Sequence, residues 1–256
     1  MTSENKIALL IDCDNVSHNA IGGVIDELSK YGKVNIRRAY GDWKQGTLKG
    51  WEEELHPYAI KPIQQFAYTK GKNATDAAMI IDAMDLLYTQ NLDAFALMTS
   101  DSDFTPLAMR ILTSGLTVYG FGEMKTPSPF VKACSQFIYT ENFIAPEESV
   151  LGGKEKESEP SEIGSAAVSL KKSRNELRGD TSMVKLLRTA TEQTTENDGW
   201  SNFSNVSQYV SNNSSFSSVN YGFKRLSDLV KATELFETEI RNGGPMFIRA
   251  KKKQAK

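Results

Sequence analysis

Two short strings carry acids where they could do chemistry: Ile11-Asp12-Cys13-Asp14-Asn15 near the start of the chain, and Thr99-Ser100-Asp101-Ser102-Asp103-Phe104 further on. A further acid, Asp76, stands in Asn73-Ala74-Thr75-Asp76-Ala77-Ala78. Neither of the first two strings contains a basic residue, and converging carboxylates repel unless they share a proton or a cation. An all-oxygen set suits a hard divalent ion such as Mg²⁺ or Mn²⁺. Such an ion can help deprotonate a water for attack on phosphorus and can stabilise the oxygen that leaves. The chemistry that fits is phosphodiester hydrolysis. Thiol and imidazole chemistry lacks material, because Cys13, Cys134, His18 and His56 are the whole supply, too few for a zinc finger or a histidine-rich cluster. Neither histidine has a carboxylate or serine at a spacing that suggests a nucleophilic triad.

These acids need a scaffold that brings them together. Lys6-Ile7-Ala8-Leu9-Leu10-Ile11, just before Asp12, is a continuous apolar run of the length of a strand buried on both faces. Similar runs follow at Val34 to Tyr40, Ala59 to Phe66, Ala94 to Met98, Leu116 to Phe121 and Phe137 to Tyr139. Between them lie helical spacings: Ile21, Val24, Ile25 and Leu28; Ala77, Ile80, Ile81, Met84, Leu87 and Tyr88; Phe104, Leu107, Ala108, Ile111 and Leu112. Strand and helix in alternation predict an α/β fold with a parallel sheet and helices on both faces. The usual right-handed crossovers favour the order 3-2-1-4-5. In that order the first and fourth strands are neighbours, and Asp12 meets Asp101 and Asp103 at the C-terminal edge, where open parallel sheets place ligands.

Several of the charged residues also have plainer roles. Asp14 and Asn15 could cap a helix, as could Asp103, and a helix dipole alone would favour Asp76. Capping explains Asp12 or Asp101 singly but not both at one edge. Asp82, Asp85 and Asp93 read as a solvated helix face and the turn after it. Lys70 and Lys72 precede Asp76 and could hold a phosphate backbone beside it, or be two solvated lysines. Arg37, Arg38, Lys44 and Lys49 could widen a basic rim around Trp43 and Trp51.

The whole chain of 256 residues is 39% hydrophobic and 24% charged, with a formal charge of -2, which excludes collagen, full disorder and a disulfide-stapled miniprotein. No run reaches the roughly 18 to 20 apolar residues of a membrane helix, and the first residues lack a signal-peptide layout, so a cytoplasmic protein with no membrane partner is expected. The charge is unevenly spread: up to Ala145 there are 13 basic and 17 acidic residues, but from Asp180 onward 11 basic and 8 acidic. Four segments follow: a first domain over 1–145, a flexible linker over 146–179 where apolar content falls, a second domain over 180–250, and a basic tail over 251–256. In the second domain Met183, Leu186, Leu187 and Ala190, then Phe203, Val206, Tyr209 and Val210, then Tyr221, Phe223, Leu226 and Leu229 predict three helices. Leu235 to Ile240 and Phe247-Ile248 bracket a Gly243-Gly244-Pro245 turn, the pattern of a two-stranded wing.

Asp12 with Asn15, Lys70-Gly71-Lys72-Asn73-Ala74-Thr75-Asp76, Ser100-Asp101-Ser102-Asp103-Phe104 and Gly120-Phe121-Gly122-Glu123 together resemble the NYN family. These are PIN-like nuclease domains that include LabA-like and limkain-type proteins. The resemblance covers most of Met1 to Phe143. It implies a PIN-like, metal-dependent ribonuclease with Asp12, Asp76, Asp101 and Asp103 as catalytic and metal-binding acids, Asn15 and Ser100 in support, and RNA as substrate. Asp14 has no fixed role in that pattern. Two other readings stay open. Asp12-Cys13-Asp14-Asn15-Val16 also resembles the opening of haloacid-dehalogenase-type phosphatases, although Asp76 and the Lys70 region then have no role. A PIN-like domain could also bind RNA or a protein and turn over nothing.

Gly199-Trp200-Ser201-Asn202-Phe203-Ser204 and Asn220-Tyr221-Gly222-Phe223-Lys224-Arg225-Leu226-Ser227-Asp228-Leu229-Val230 resemble the OST-HTH, or LOTUS, domain. That resemblance implies a winged-helix-like α+β fold that binds RNA or a protein partner such as a DEAD-box helicase. Tyr221, Phe223, Leu226 and Leu229 read as core, and Lys224 and Arg225 as phosphate contacts on the third helix.

Overall fold

The structure, a computed structural model, describes residues 4–44, 46–66, 74–144, 171–241 and 243–251. Lys70 and Lys72, most of the expected linker and the end of the basic tail lie outside the described residues. The first half builds β1 (Lys6–Asp12), α1 (Ile21–Leu28), β2 (Lys33–Gly41), α2 (Lys49–Leu55), β3 (Lys61–Gln64) and α3 (Ala74–Thr89). It continues with β4 (Ala94–Met98), α4 (Thr105–Thr113), β5 (Thr117–Gly122), α5 (Ser128–Ala133) and β6 (Gln136–Tyr139). All six strands are parallel, in the order β3-β2-β1-β4-β5-β6. The expected order thus holds, with β6 added at the edge beside β5.

The sheet is a middle layer because its central strands have no polar face. Every residue of β4, and every residue of β1 after Lys6, is buried. Alternation sends Ile7, Leu9 and Ile11 to one side, against α1, and Ala8 and Leu10 to the other, against α3 and α4. Asp12 continues the second series, so it emerges on the α3 side.

Helix α3 sits differently from its apolar spacing. It buries Asp76, Met79, Ala83, Leu86 and Leu87, while Ile81 and Tyr88 are exposed. Apolar residues ring this helix, so periodicity alone does not set its rotation. Its polar anchors do: Asp76 turns toward the sheet edge and Asp82 accepts hydrogen bonds from Arg38 and Tyr40 on β2.

The second half contains α6 (Arg174–Gly179), α7 (Thr181–Gln193), β7 (Ser201–Asn202), α8 (Phe203–Asn213), α9 (Leu226–Thr233), β8 (Phe236–Ile240) and β9 (Met246–Ala250). Its small antiparallel sheet runs β7-β9-β8, so the wing has a short third strand. Residues 174–179, which low apolar content assigns to the linker, form α6. A capping box between Ser173 and Glu176 starts that helix, and its Leu177 is fully buried in the second-half core with Leu187, Val206 and Leu229. One well-placed leucine is invisible to an average over composition. Among the described residues no helix is long and apolar enough to cross a membrane.

Candidate active site

Because β1 and β4 are hydrogen-bonded neighbours with Ile11 opposite Met98, the residues that follow them leave the sheet side by side. Asp12 ends β1 and is fully buried. Its Oδ2 accepts hydrogen bonds from the Thr99 hydroxyl at 2.7 Å and from the Asn15 amide at 2.8 Å, and its Oδ1 from the Asp14 backbone N–H at 3.3 Å. Burial pushes the Asp12 carboxyl above the ordinary range; the bonds from Thr99 and Asn15 oppose that shift.

Thr99 links the two strand ends. Its hydroxyl oxygen accepts from the Asp101 N–H at 3.1 Å while its proton goes to Asp12. A single hydroxyl therefore fixes Asp101 against Asp12. Sequence reading assigned Thr99 no role, since a threonine at a strand end is ordinary; its position one residue beyond β4, opposite an acid on the adjacent strand, was the available signal. Asp101 in turn caps a 3₁₀ turn over Ser102–Phe104, its Oδ1 accepting from the Asp103 N–H at 2.9 Å. The cap is thus Asp101, and Asp103 is an exposed residue of the capped turn. Ser100 accepts at its Oγ from the Glu123 N–H at 2.9 Å. It ties the exit of β5 to the exit of β4 and supports the edge from outside the acidic group.

Asp76 enters from α3, in the helix's first turn and 9% exposed. A helix N-terminus favours an anion, yet its carboxyl is pushed up to about 6. Burial is the largest cause, followed by the negative charges of Asp12, Asp101, Asp103 and Asp14. Acids from three separate elements therefore act on one another at the C-terminal edge. Among the described residues no three acids, cysteines or histidines stand as a ready-assembled cation cluster.

Three of the residues that could make a basic rim are engaged within the fold. Arg37 donates to the Tyr58 carbonyl, Arg38 pairs with Asp82, and Trp51 is buried with its indole N–H on the Val16 carbonyl. Lys224 and Arg225 lie in the other half. They sit in the turn just before α9, with Arg225 at its N-cap, so they precede the helix instead of lying along it. Both are exposed.

The NYN domain family model matches residues 6–143. The chain belongs to the NYN family. Its PIN-like nuclease fold is the sheet described above, and the OST-HTH/LOTUS domain family matches residues 179–248, over the small α+β half. The NYN chain is 27% identical over 129 residues to an uncharacterized protein of Methanocaldococcus jannaschii, a match covering 46% of this chain and 48% of that one. It thus spans about half the length of this curated relative. Among solved structures, a protein of unknown function from Vibrio parahaemolyticus shares 19% identity at a TM-score of 0.45, covering 54% of this chain and 96% of that one. An uncharacterized protein of Nitrosomonas europaea shares 29% identity at a TM-score of 0.26, covering 44% and 91%.

Proposed function

We propose that the NYN domain is a divalent-cation-dependent endoribonuclease that hydrolyses RNA phosphodiesters, and that the LOTUS domain brings the RNA. The observation that carries the reading is the shared field at the sheet edge, where Asp76 is raised to about 6 by burial and by its acidic neighbours. A hard cation, Mg²⁺ or Mn²⁺, would reverse the sign of that interaction, and the all-oxygen donor set of Asp12, Asp76, Asp101 and Asp103 fits it. The ion would supply an activated water and charge stabilisation at the phosphate. The chain's own residues do the rest. Thr99 and Asn15 hold Asp12 in one rotamer, Asp101 is held against the same hydroxyl, and Ser100 fixes the loop after β5. Lys70 and Lys72 would hold the phosphate backbone, and Lys224 and Arg225 the RNA on the LOTUS domain, where a helicase is the alternative partner.

A second reading is RNA binding without turnover, since a fold that carries the acids does not by itself establish catalysis. A phosphatase of the haloacid-dehalogenase type would leave the field on Asp76 without use. The test is cleavage of labelled single-stranded and hairpin RNAs by the full chain in Mn²⁺, Mg²⁺ or EDTA, beside Asp101→Asn. The proposal expects cation-dependent internal cuts that EDTA stops and that the variant loses by at least about a hundredfold with RNA binding retained. Binding by the wild type with no cutting under any ion would establish the non-catalytic reading.

A further inference from the structure

The outer edge of β6 ends the parallel sheet, and a bare edge presents unpaired N–H and C=O groups. Here the four outward groups of Phe137 and Tyr139 are all satisfied, and mostly by the other half of the chain. The Phe137 N–H donates to the Ser215 carbonyl at 3.0 Å. The Asn220 side-chain amide donates to the Phe137 carbonyl at 2.9 Å and accepts from the Tyr139 N–H at 2.9 Å. The Tyr139 carbonyl accepts from Asn142 Nδ2 at 2.9 Å, and that amide also reaches Asn220 Oδ1 at 3.0 Å.

The pattern made by Asn220 is specific. In a parallel ladder, one residue donates its N–H to the carbonyl before its partner and accepts from the N–H after it. Asn220 does this with a side-chain amide, which carries the same donor and acceptor as a peptide, opposite Ile138. We infer that Asn220 is a surrogate strand residue that docks the C-terminal domain, in cis, on the edge of the nuclease sheet, making one composite surface for RNA.

Two further observations give this dock its consequence. Val219 packs against the first-half core beside the lock, but next to it lies an open cleft of about 930 Å³ lined by residues of both halves. Beside that cleft the hydrogen-bonded lock joins the halves. The basic turn is also leashed to it: Arg225 follows Asn220 by five residues, which span at most about 18 Å when fully extended. Tyr139 is at the C-terminal end of β6, the sheet edge that carries the acids. Strands sit about 4.8 Å apart, so β6 is about 10 Å from β4. Lys224 and Arg225 are therefore held within about 35 Å of the end of β4, on a shorter leash than a free tether would give. The composite surface for RNA rests on the proposed ribonuclease reading; the dock itself does not.

Hydrogen exchange on the full chain, without RNA or cation, tests the dock. The Phe137 and Tyr139 amides of the wild type should be protected. In Asn220→Ala, and in Asn220→Asp, which places a carboxylate against the Phe137 carbonyl, the Tyr139 amide should exchange at least about tenfold faster. Amides of β4 and of α7 should be unchanged in both variants, showing that each half still folds, and the radius of gyration in solution should rise. Wild-type Phe137 and Tyr139 amides exchanging like free ones, or no change in either variant, would overturn the inference. Protection that grows with protein concentration would assign the dock to a second copy and overturn it equally. Because the readout needs no cleavage, an inactive enzyme would leave the result intact.

Discussion

Helix α3 carries two inward-looking aspartates, six residues apart, with opposite surroundings. Asp82 receives the guanidinium of Arg38 and the hydroxyl of Tyr40, a side chain that is fully buried on β2. Asp76 faces Asp12, Asp101, Asp103 and Asp14. The first carboxylate is compensated within the fold, and its chemistry is spent on holding the helix to the sheet. The second stands, with burial, in a field of like charge. A carboxylate that meets a cation and a hydroxyl inside the fold marks structure, whereas several carboxylates brought to one sheet edge are the kind of cluster in which perturbed acids gather at functional sites.

Removing each carboxylate should therefore act in opposite directions. Asp82→Ala strands the Arg38 charge and the buried Tyr40 hydroxyl, and should cost about 3 kcal/mol in urea unfolding. If the loss is near zero, the pair is not the anchor of α3. Asp76→Asn should stabilise the cation-free protein. The Asp76 carboxyl is raised to about 6 in the fold against roughly 3.9 in the unfolded chain. Between those values the folded state binds the extra proton, so stability falls as pH rises through the window. At pH 7 the asparagine variant should be more stable by about 2 kcal/mol in EDTA, with little difference at pH 4. An added divalent cation should narrow the gap by stabilising the wild type alone. A variant that is destabilised at pH 7 would mean that the acids do not share a field.

How far this contrast can be read from sequence depends on which partner is near in the chain. The strand order, and with it the meeting of Asp12 and Asp101, follows from apolar runs that end in acids, because a parallel sheet with right-handed crossovers has few ways to connect them. The charge balance of Asp82 is not legible in that way. Arg38 lies 44 residues upstream, and the helix periodicity that would point Asp82 at it is blurred by apolar residues on every side of α3. Thr99 is hidden for a related reason: its role exists only once β1 and β4 are neighbours. Asn220 is hidden more deeply, since it sits within a motif already explained as part of the LOTUS domain, and two of its three partners are backbone groups that no side-chain pattern announces.

The same contrast sorts the cations of the C-terminal domain. Arg241 stacks between Trp200 and Phe247 and pairs with Asp198, and Arg249 lies over Trp200 and pairs with Glu237. They are balanced within the wing. Lys224 and Arg225, by contrast, are exposed on the turn before α9, and among the described residues neither forms a salt bridge. If uncompensated charge marks the binding surface, Lys224→Glu with Arg225→Glu should weaken RNA binding about tenfold at physiological salt. The slope of log K against log salt should also become shallower by about 1.4 for a single strand, as two phosphate contacts are lost. Stability should change by no more than about 0.5 kcal/mol, because neither side chain is buried. Should the slope stay unchanged while Arg241→Ala lowers it, the RNA would be read by the wing, and a balanced arginine would have to release its acid to bind phosphate.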